Sequence, residues 1–173
     1  MELIEAITTR RSVRRYQERP VEEDALKRVK KAVTYAPSAK NIQPYAFILV
    51  RDPDMKSKLA AAAFGAKWLT EAPIIVVALG NVEDAYATMG GYQSSVFIDT
   101  AIALDHLTLA ATAEGLGTCW IGAFSEEKVL YAMDIDDNDW RVVAMTPLGY
   151  PLEEPEPRPR KNSSQIFRNE ALY

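Results

Sequence analysis

One cysteine and one histidine in 173 residues narrow what this chain can be. The lone thiol, Cys119, cannot build an internal disulfide framework and suits a reducing compartment. It sits beside Trp120 in an apolar run, where a buried structural thiol is expected before a nucleophile. His106 falls on a different segment, a long apolar one, and is expected to be a core or interface histidine. There is no nucleophile elbow, no zinc-ligand spacing, no P-loop and no glycine-rich dinucleotide fingerprint. Residues 134–139 hold four aspartates but lack the central glycine and late glutamate of a calcium loop, so the expectation is an acidic turn and no metal. No run of signal-peptide length opens the chain (MELIEAITTRRS), and the most apolar stretches are broken by charges or turns short of a membrane span. A cytoplasmic protein with no membrane partner is the expectation. Nor is there an excess of positive charge. Twenty Lys+Arg against 24 Asp+Glu leave −4, which speaks against nucleic acid as a partner.

What is present is a core. The hydrophobic fraction is 48%, enough for one domain spanning 1–173. Leu3, Ile4 and Ile7 recur at helix spacing over 2–9. A helix over 22–35 carries an apolar stripe of Ala25, Leu26, Val29, Ala32 and Val33, with glutamates at its start and lysines towards its end. A strand follows at 45–50, then a helix over 53–63 with Pro53 in its first turn. Residues 64–72 read as an irregular helix, and 74–79 (IIVVAL) as the interior strand of a sheet. The polar stretch 81–92, with Gly90-Gly91, is either a lid over a site or a surface excursion. Residues 94–114 form the longest helix, apolar on more than one face, which requires a central position or a second subunit against it. A short strand and turn over 118–122, a helix at 125–133 and a strand at 142–148 complete the body. The proline- and charge-rich tail from 150 ends in Ile166, Phe167 and Leu172, the pattern of an arm that docks.

The chemistry-bearing residues fall in three places. Arg10, Arg11, Arg14 and Arg15 crowd around Ser12. If the chain is extended there, Ser12 and Arg14 share one face while Val13 turns inward, a face able to grip phosphate or carboxylate. A solvated basic patch paired with nearby glutamates is the alternative. Arg158, Arg160 and Lys161 form a second basic cluster. Between Pro37 and Pro44 lies a short stiff loop bearing Ser38, Lys40, Asn41 and Gln43, which is either an ordinary helix-to-strand connection or a binding loop. Basic clusters without a side-chain catalyst are what a site holding an anionic cofactor looks like, with the reactivity supplied by the cofactor.

Seven pieces, in order, resemble the FMN-dependent nitroreductase family, and together they cover nearly the whole chain. They are RRSVRRY at 10–16, APSAKNIQPYAFILV at 36–50, AP with IIVVAL at 72–79, the HLTLAA helix at 99–111, GLGTCWIG at 115–122, LGYP at 148–151 and RPRK at 158–161. The resemblance implies an α+β fold with a central, mostly antiparallel sheet flanked by helices. It also implies an obligate homodimer whose C-terminal arm, about 151–173, is exchanged between subunits, with FMN at the interface. Carried across, it implies that Arg10, Arg11, Ser12 and Arg14 contact FMN from one subunit, with Arg14 near N1/O2 of the ring. Arg158 and Arg160 would complete the phosphate grip. Pro37, Ser38, Ala39 and Asn41 would reach the ring from the other subunit, and Trp120, Ile121 and Gly122 would lie on its far side. Family members often place asparagine or lysine against the flavin where this chain has 64–68, and Lys67 is the residue that could serve. The chain is short around 81–92, where larger members insert helices that shape the substrate pocket. The activity implied is ping-pong transfer of hydride from NADH or NADPH to a small-molecule acceptor such as a nitroaromatic or quinone. Other flavin reactions on the same fold, a non-catalytic flavin-binding protein and a nucleic-acid-binding dimer are the rival readings.

Overall fold

The computed structural model describes residues 1–136 and 138–169. Its centre is a four-stranded antiparallel sheet of β1 (Tyr45–Val50), β2 (Ile74–Asn81), β3 (Gly117–Thr118) and β4 (Trp140–Gly149), in the order β1-β2-β4-β3. The interior position expected for IIVVAL is the one observed, since β2 pairs on both sides. On one face Ile74, Val76 and Ala78 pack with helices α2 (Glu23–Thr34) and α4 (Val96–Ala113), through Leu26, Val29, Leu104 and Leu107. On the other, Ile75, Val77 and Leu79 meet α3 (Pro53–Ala62) and α5 (Glu126–Ala132) through Leu59, Ala62 and Val129. A bulge leaves Val143 unpaired, because Ala78 faces Ala144 while Leu79 faces Val142. That one extra residue puts Val142 and Ala144 in opposite cores.

Local chemistry explains the element ends. Asp52 accepts the Met55 amide at 2.8 Å and Pro53 opens α3. Ser125 accepts the Lys128 amide at the start of α5. The segment 64–72 resolves into a 3₁₀ turn, Lys67–Glu71. The stretch 81–93 is a chain of turns pinned by a Met89–Gln93 bridge and by the Val82 amide on the Asp139 carbonyl.

Three apolar features are left open by one chain. Helix α1 (Leu3–Thr9) buries Ala6, while Leu3, Ile4 and Ile7, the stripe expected to face a core, point outward. Helix α4 buries Val96, Ala103, Leu104, Leu107 and Ala111 but leaves Phe97 54% exposed. Its outer side, with His106, Leu109, Ala110 and Ala113, lines an open groove of about 330 Å³ shared with Met1, Leu3 and Ala6. By length and a mean hydropathy of 1.3, α4 would suffice to cross a membrane, which corrects the expectation that every apolar run falls short of one. Its packing on α2 and the sheet, with Asp99, Thr100 and Thr108 buried and hydrogen-bonded, is that of a core helix. The third feature is the outer edge of β1, which has no strand partner among the described residues. Beyond Tyr150 the chain runs as an exposed arm to a short helix, α6 (Ser163–Ile166). That helix is closed by a capping box between Asn162 and Gln165, with Ile166 and Phe167 exposed. Leu172, expected to help dock the arm, lies outside the described residues.

Candidate functional site

The segment after α1 is extended and lies against β3. Ser12 bridges Thr118, and the Val13 amide donates to the Thr118 carbonyl at 2.9 Å. As expected from alternation, Val13 turns inward and is buried, leaving Ser12 and Arg14 on the other side. Gly117 makes this possible. A Cβ at that position would lie 2.8–2.9 Å from the Cβ and both methyls of Val13. Tyr16 locks the next turn. Its hydroxyl donates to the Val13 carbonyl at 2.7 Å, and burial pushes its pKa well above the usual tyrosine range.

Onto this platform the C-terminal arm returns. Arg10, Arg11, Ser12 and Arg14 share one cleft of about 400 Å³ with Pro155, Pro157, Arg158 and Arg160. The two basic clusters, nearly 150 residues apart in sequence, are therefore neighbours. Arg10, Arg14, Arg158 and Arg160 make no ion pair among the described residues, whereas Arg15, Arg28 and Arg51 each have a carboxylate. Among the described residues Glu156 is the one acid lining the cleft. Arg11, in the same cleft, has a second engagement. Its guanidinium donates to the Thr8 and Arg10 carbonyls at 2.8 and 3.0 Å, closing the end of α1. Thr118 contributes a buried hydroxyl without a hydrogen-bond partner among the described residues, next to Ser12.

Arg14 stacks over Trp68 at 5.6 Å, a contact the sequence pattern did not reveal. It brings the 3₁₀ turn, and with it the exposed Lys67, to the rim of the same region. Across β3, Trp120 is 40% exposed, while Ile121 is buried in the core and exchanges backbone bonds with Met145 at 2.9 and 3.0 Å. Of the three residues expected here, Ile121 is thus engaged in the sheet, and the amides of Trp120 and Gly122 are the ones left without an intramolecular partner among the described residues. Burial raises the pKa of Cys119, and Arg14 opposes the rise from nearby. The thiol is inaccessible, in line with a structural role. His106 Nδ1 lies 3.2 Å from the Ala32 carbonyl, a packing contact remote from the cleft. Among the described residues no group of side chains could hold a metal ion.

The proline loop stands elsewhere. Pro37, Ser38, Ala39 and Asn41 line no part of the arginine cleft. The loop feeds β1 at the end where Tyr45 faces Gly80, whereas Ser12 bridges Thr118 at the end where Leu148 faces Ile74. Six residues along β2 and three strand spacings across put the two corners roughly 25 Å apart. The loop itself is strained. Lys40, Asn41 and Gln43 all have φ between 51° and 58°, a region non-glycine residues seldom enter. The Ser38 hydroxyl accepts the Gln43 amide at 2.9 Å, and Gln43 Nε2 donates back to the Asn41 carbonyl at 2.9 Å.

The donor set fits a phosphate-bearing flavin. Its unpaired guanidinium groups lie beside an aromatic-lined region with free backbone amides. The comparisons point the same way. A family model described as "Putative TM nitroreductase" matches residues 2–172. A protein of Thermus thermophilus named NADH dehydrogenase is 32% identical, covering 90% of this chain and 89% of its own. The FMN reductase [NAD(P)H] of Bacillus subtilis is 29% identical over 98% of this chain and 74% of its own length. Among solved structures, a nitroreductase family protein of Clostridium novyi NT superposes with a TM-score of 0.79 at 38% identity, covering 90% of this chain and 89% of that one.

Proposed function

The chain belongs to the nitroreductase family, and from that premise we propose that it is a cytoplasmic, homodimeric FMN-dependent NAD(P)H oxidoreductase acting on electron-poor acceptors such as nitroaromatics or quinones. The observation that carries the reading is the convergence of four unpaired arginines from opposite ends of the chain on one cleft. FMN held there would supply two-electron hydride chemistry between a nicotinamide and the acceptor. Arg10, Arg158 and Arg160 grip the phosphate by charge-assisted bonds. Arg14, steadied on Trp68, keeps positive charge at the ring edge. The Trp120 and Gly122 amides offer backbone donors to the ring, and Lys67 stands at the rim. No side chain of the cleft is needed as an acid or base, since protons come from water.

The separation of the proline loop from this cleft supports the dimer. One chain cannot close both corners on a single ring, so Pro37, Ser38, Ala39 and Asn41 serve the partner's site. The outward apolar stripe of α1, the open side of α4 and the exposed arm with Ile166 and Phe167 give the second copy something to cover. The purified protein is expected to be yellow, and anaerobic addition of NADH or NADPH to bleach it, with colour returning on adding a quinone. A colourless protein that takes up no FMN would sink the proposal. Flavin that neither nicotinamide bleaches would instead make the protein a flavin store.

Arg14 has its own signature. Arg14→Ala is expected to lower the flavin midpoint potential as well as its affinity, because it removes positive charge that favours the electron-rich state. Potentiometry that finds an unchanged potential would place Arg14 away from the ring.

A further inference from the structure

Asp99 is a carboxylate where the surrounding pattern calls for an apolar residue. It lies in the first turn of α4, is 3% exposed and has no cationic partner among the described residues. Both oxygens are nevertheless occupied. Oδ2 accepts the Ser95 hydroxyl at 2.7 Å, and Oδ1 accepts the backbone amide of Ala39 at 3.0 Å, 60 residues away in sequence. Ser95 is itself fully buried, and its amide donates to the Tyr86 carbonyl of the 81–93 segment. Lys40, next to Ala39, has its ammonium 4.6 Å from the Tyr86 ring.

These contacts converge on the loop in which Lys40, Asn41 and Gln43 have positive φ. Such a conformation persists only where its surroundings over-determine it. The loop's internal bonds, Ser38 with Gln43 and Gln43 with Asn41, shape it but do not fix it to the body of the protein. The Ala39–Asp99 bond does. It ties the loop to the rigid start of the longest helix. We propose that Asp99, steadied by Ser95, is a positioning residue for the flavin, holding the Ser38–Asn41 loop in the strained form that meets the ring bound mainly by the partner subunit. The inference rests on the flavin reading above and on the loop's place in it.

The bond can be cut from either side. Asp99→Ala removes the acceptor. Ala39→Pro removes the donor, and the site accommodates it, because Ser38 already has the extended backbone (φ −143°, ψ 158°) that a following proline demands and Ala39 opens a 3₁₀ turn. Comparison with the double variant separates the lost bond from any direct contact of residue 39 with the ring. Titration of the apoprotein with FMN, followed by flavin fluorescence and by circular dichroism of the bound flavin, should show each single variant weakened about tenfold with altered dichroism. The double variant should be no weaker than either single, and Asp99→Asn, which keeps an acceptor for Ala39, should bind within about threefold of wild type. Ala39→Pro leaves α4 intact and carries the test if Asp99→Ala does not fold. Singles with wild-type affinity and dichroism, or losses that multiply in the double, would overturn the role of Asp99 while leaving the flavin site standing. Wild-type apoprotein that takes up no FMN would overturn both.

Discussion

Replacing Arg158 and Arg160 together by alanine is expected to weaken FMN binding by at least about 100-fold. A charge-assisted hydrogen bond contributes about 1.5–3 kcal/mol where its partners are held together, and the double variant removes two fork donors from one cleft. Both side chains lie on the exposed arm, so the apoprotein's thermal midpoint should stay close to wild type. Titration of apoprotein at two ionic strengths is the measurement. The variant should also lose part of the wild-type salt dependence, since fewer charges face the phosphate. Lysines at both positions should recover only part of the affinity, because an ammonium cannot reproduce the planar fork. A double-alanine variant with wild-type affinity at low salt would mean that the arm's arginines do not hold the cofactor.

Gly117→Ala should act on the same site from beneath. The added methyl would meet Val13 at 2.8–2.9 Å on three atoms, one of them its Cβ, which no side-chain rotation can move. Relief therefore has to come from the backbone of 12–14 lifting off β3, which strains the Val13–Thr118 bond and shifts Ser12 and Arg14 together. Overpacking of this kind costs about 1–3 kcal/mol, readable in urea unfolding of the apoprotein. FMN affinity should fall by about tenfold in addition. The companion change Val13→Ala in the Gly117→Ala background removes two of the three close contacts, leaving the one at Cβ, and should restore part of the affinity. If stability falls but affinity does not, the platform under Arg14 tolerates displacement.

How much of this could be read from the chain depended on what each signal measures. IIVVAL announced an interior strand because both faces of β2 are covered, and Val13 announced its inward turn because alternation is local. The stripe Leu3, Ile4, Ile7 was legible as a stripe, yet hydrophobicity says that a face is covered without saying by which chain, and within one chain it is bare. The bulge at Val143 escaped because one inserted residue leaves the composition of β4 unchanged while exchanging its faces. Arg11 stood among four similar arginines, and only the position of the last α1 carbonyls separates a helix cap from a phosphate ligand. Asp99 and Trp68 were legible only as residues out of pattern. Their partners, Ala39 and Arg14, are distant in sequence, so nothing local could have named them.

The bare edge of β1 carries a consequence for the life of the molecule. Alternate residues of YAFILV present backbone groups that no strand among the described residues pairs, on an apolar strand without a proline or charge to deter pairing. Soluble proteins seldom leave such an edge open, because it templates the addition of further chains and ends in insoluble fibres. In the dimer proposed above, a newly made chain that has not met its partner is therefore at hazard, and the hazard lasts as long as encounter takes. Synthesis of two copies close together, as from one messenger, shortens that interval. The dimer proposed above would make assembly a form of quality control as well as a way to complete a site.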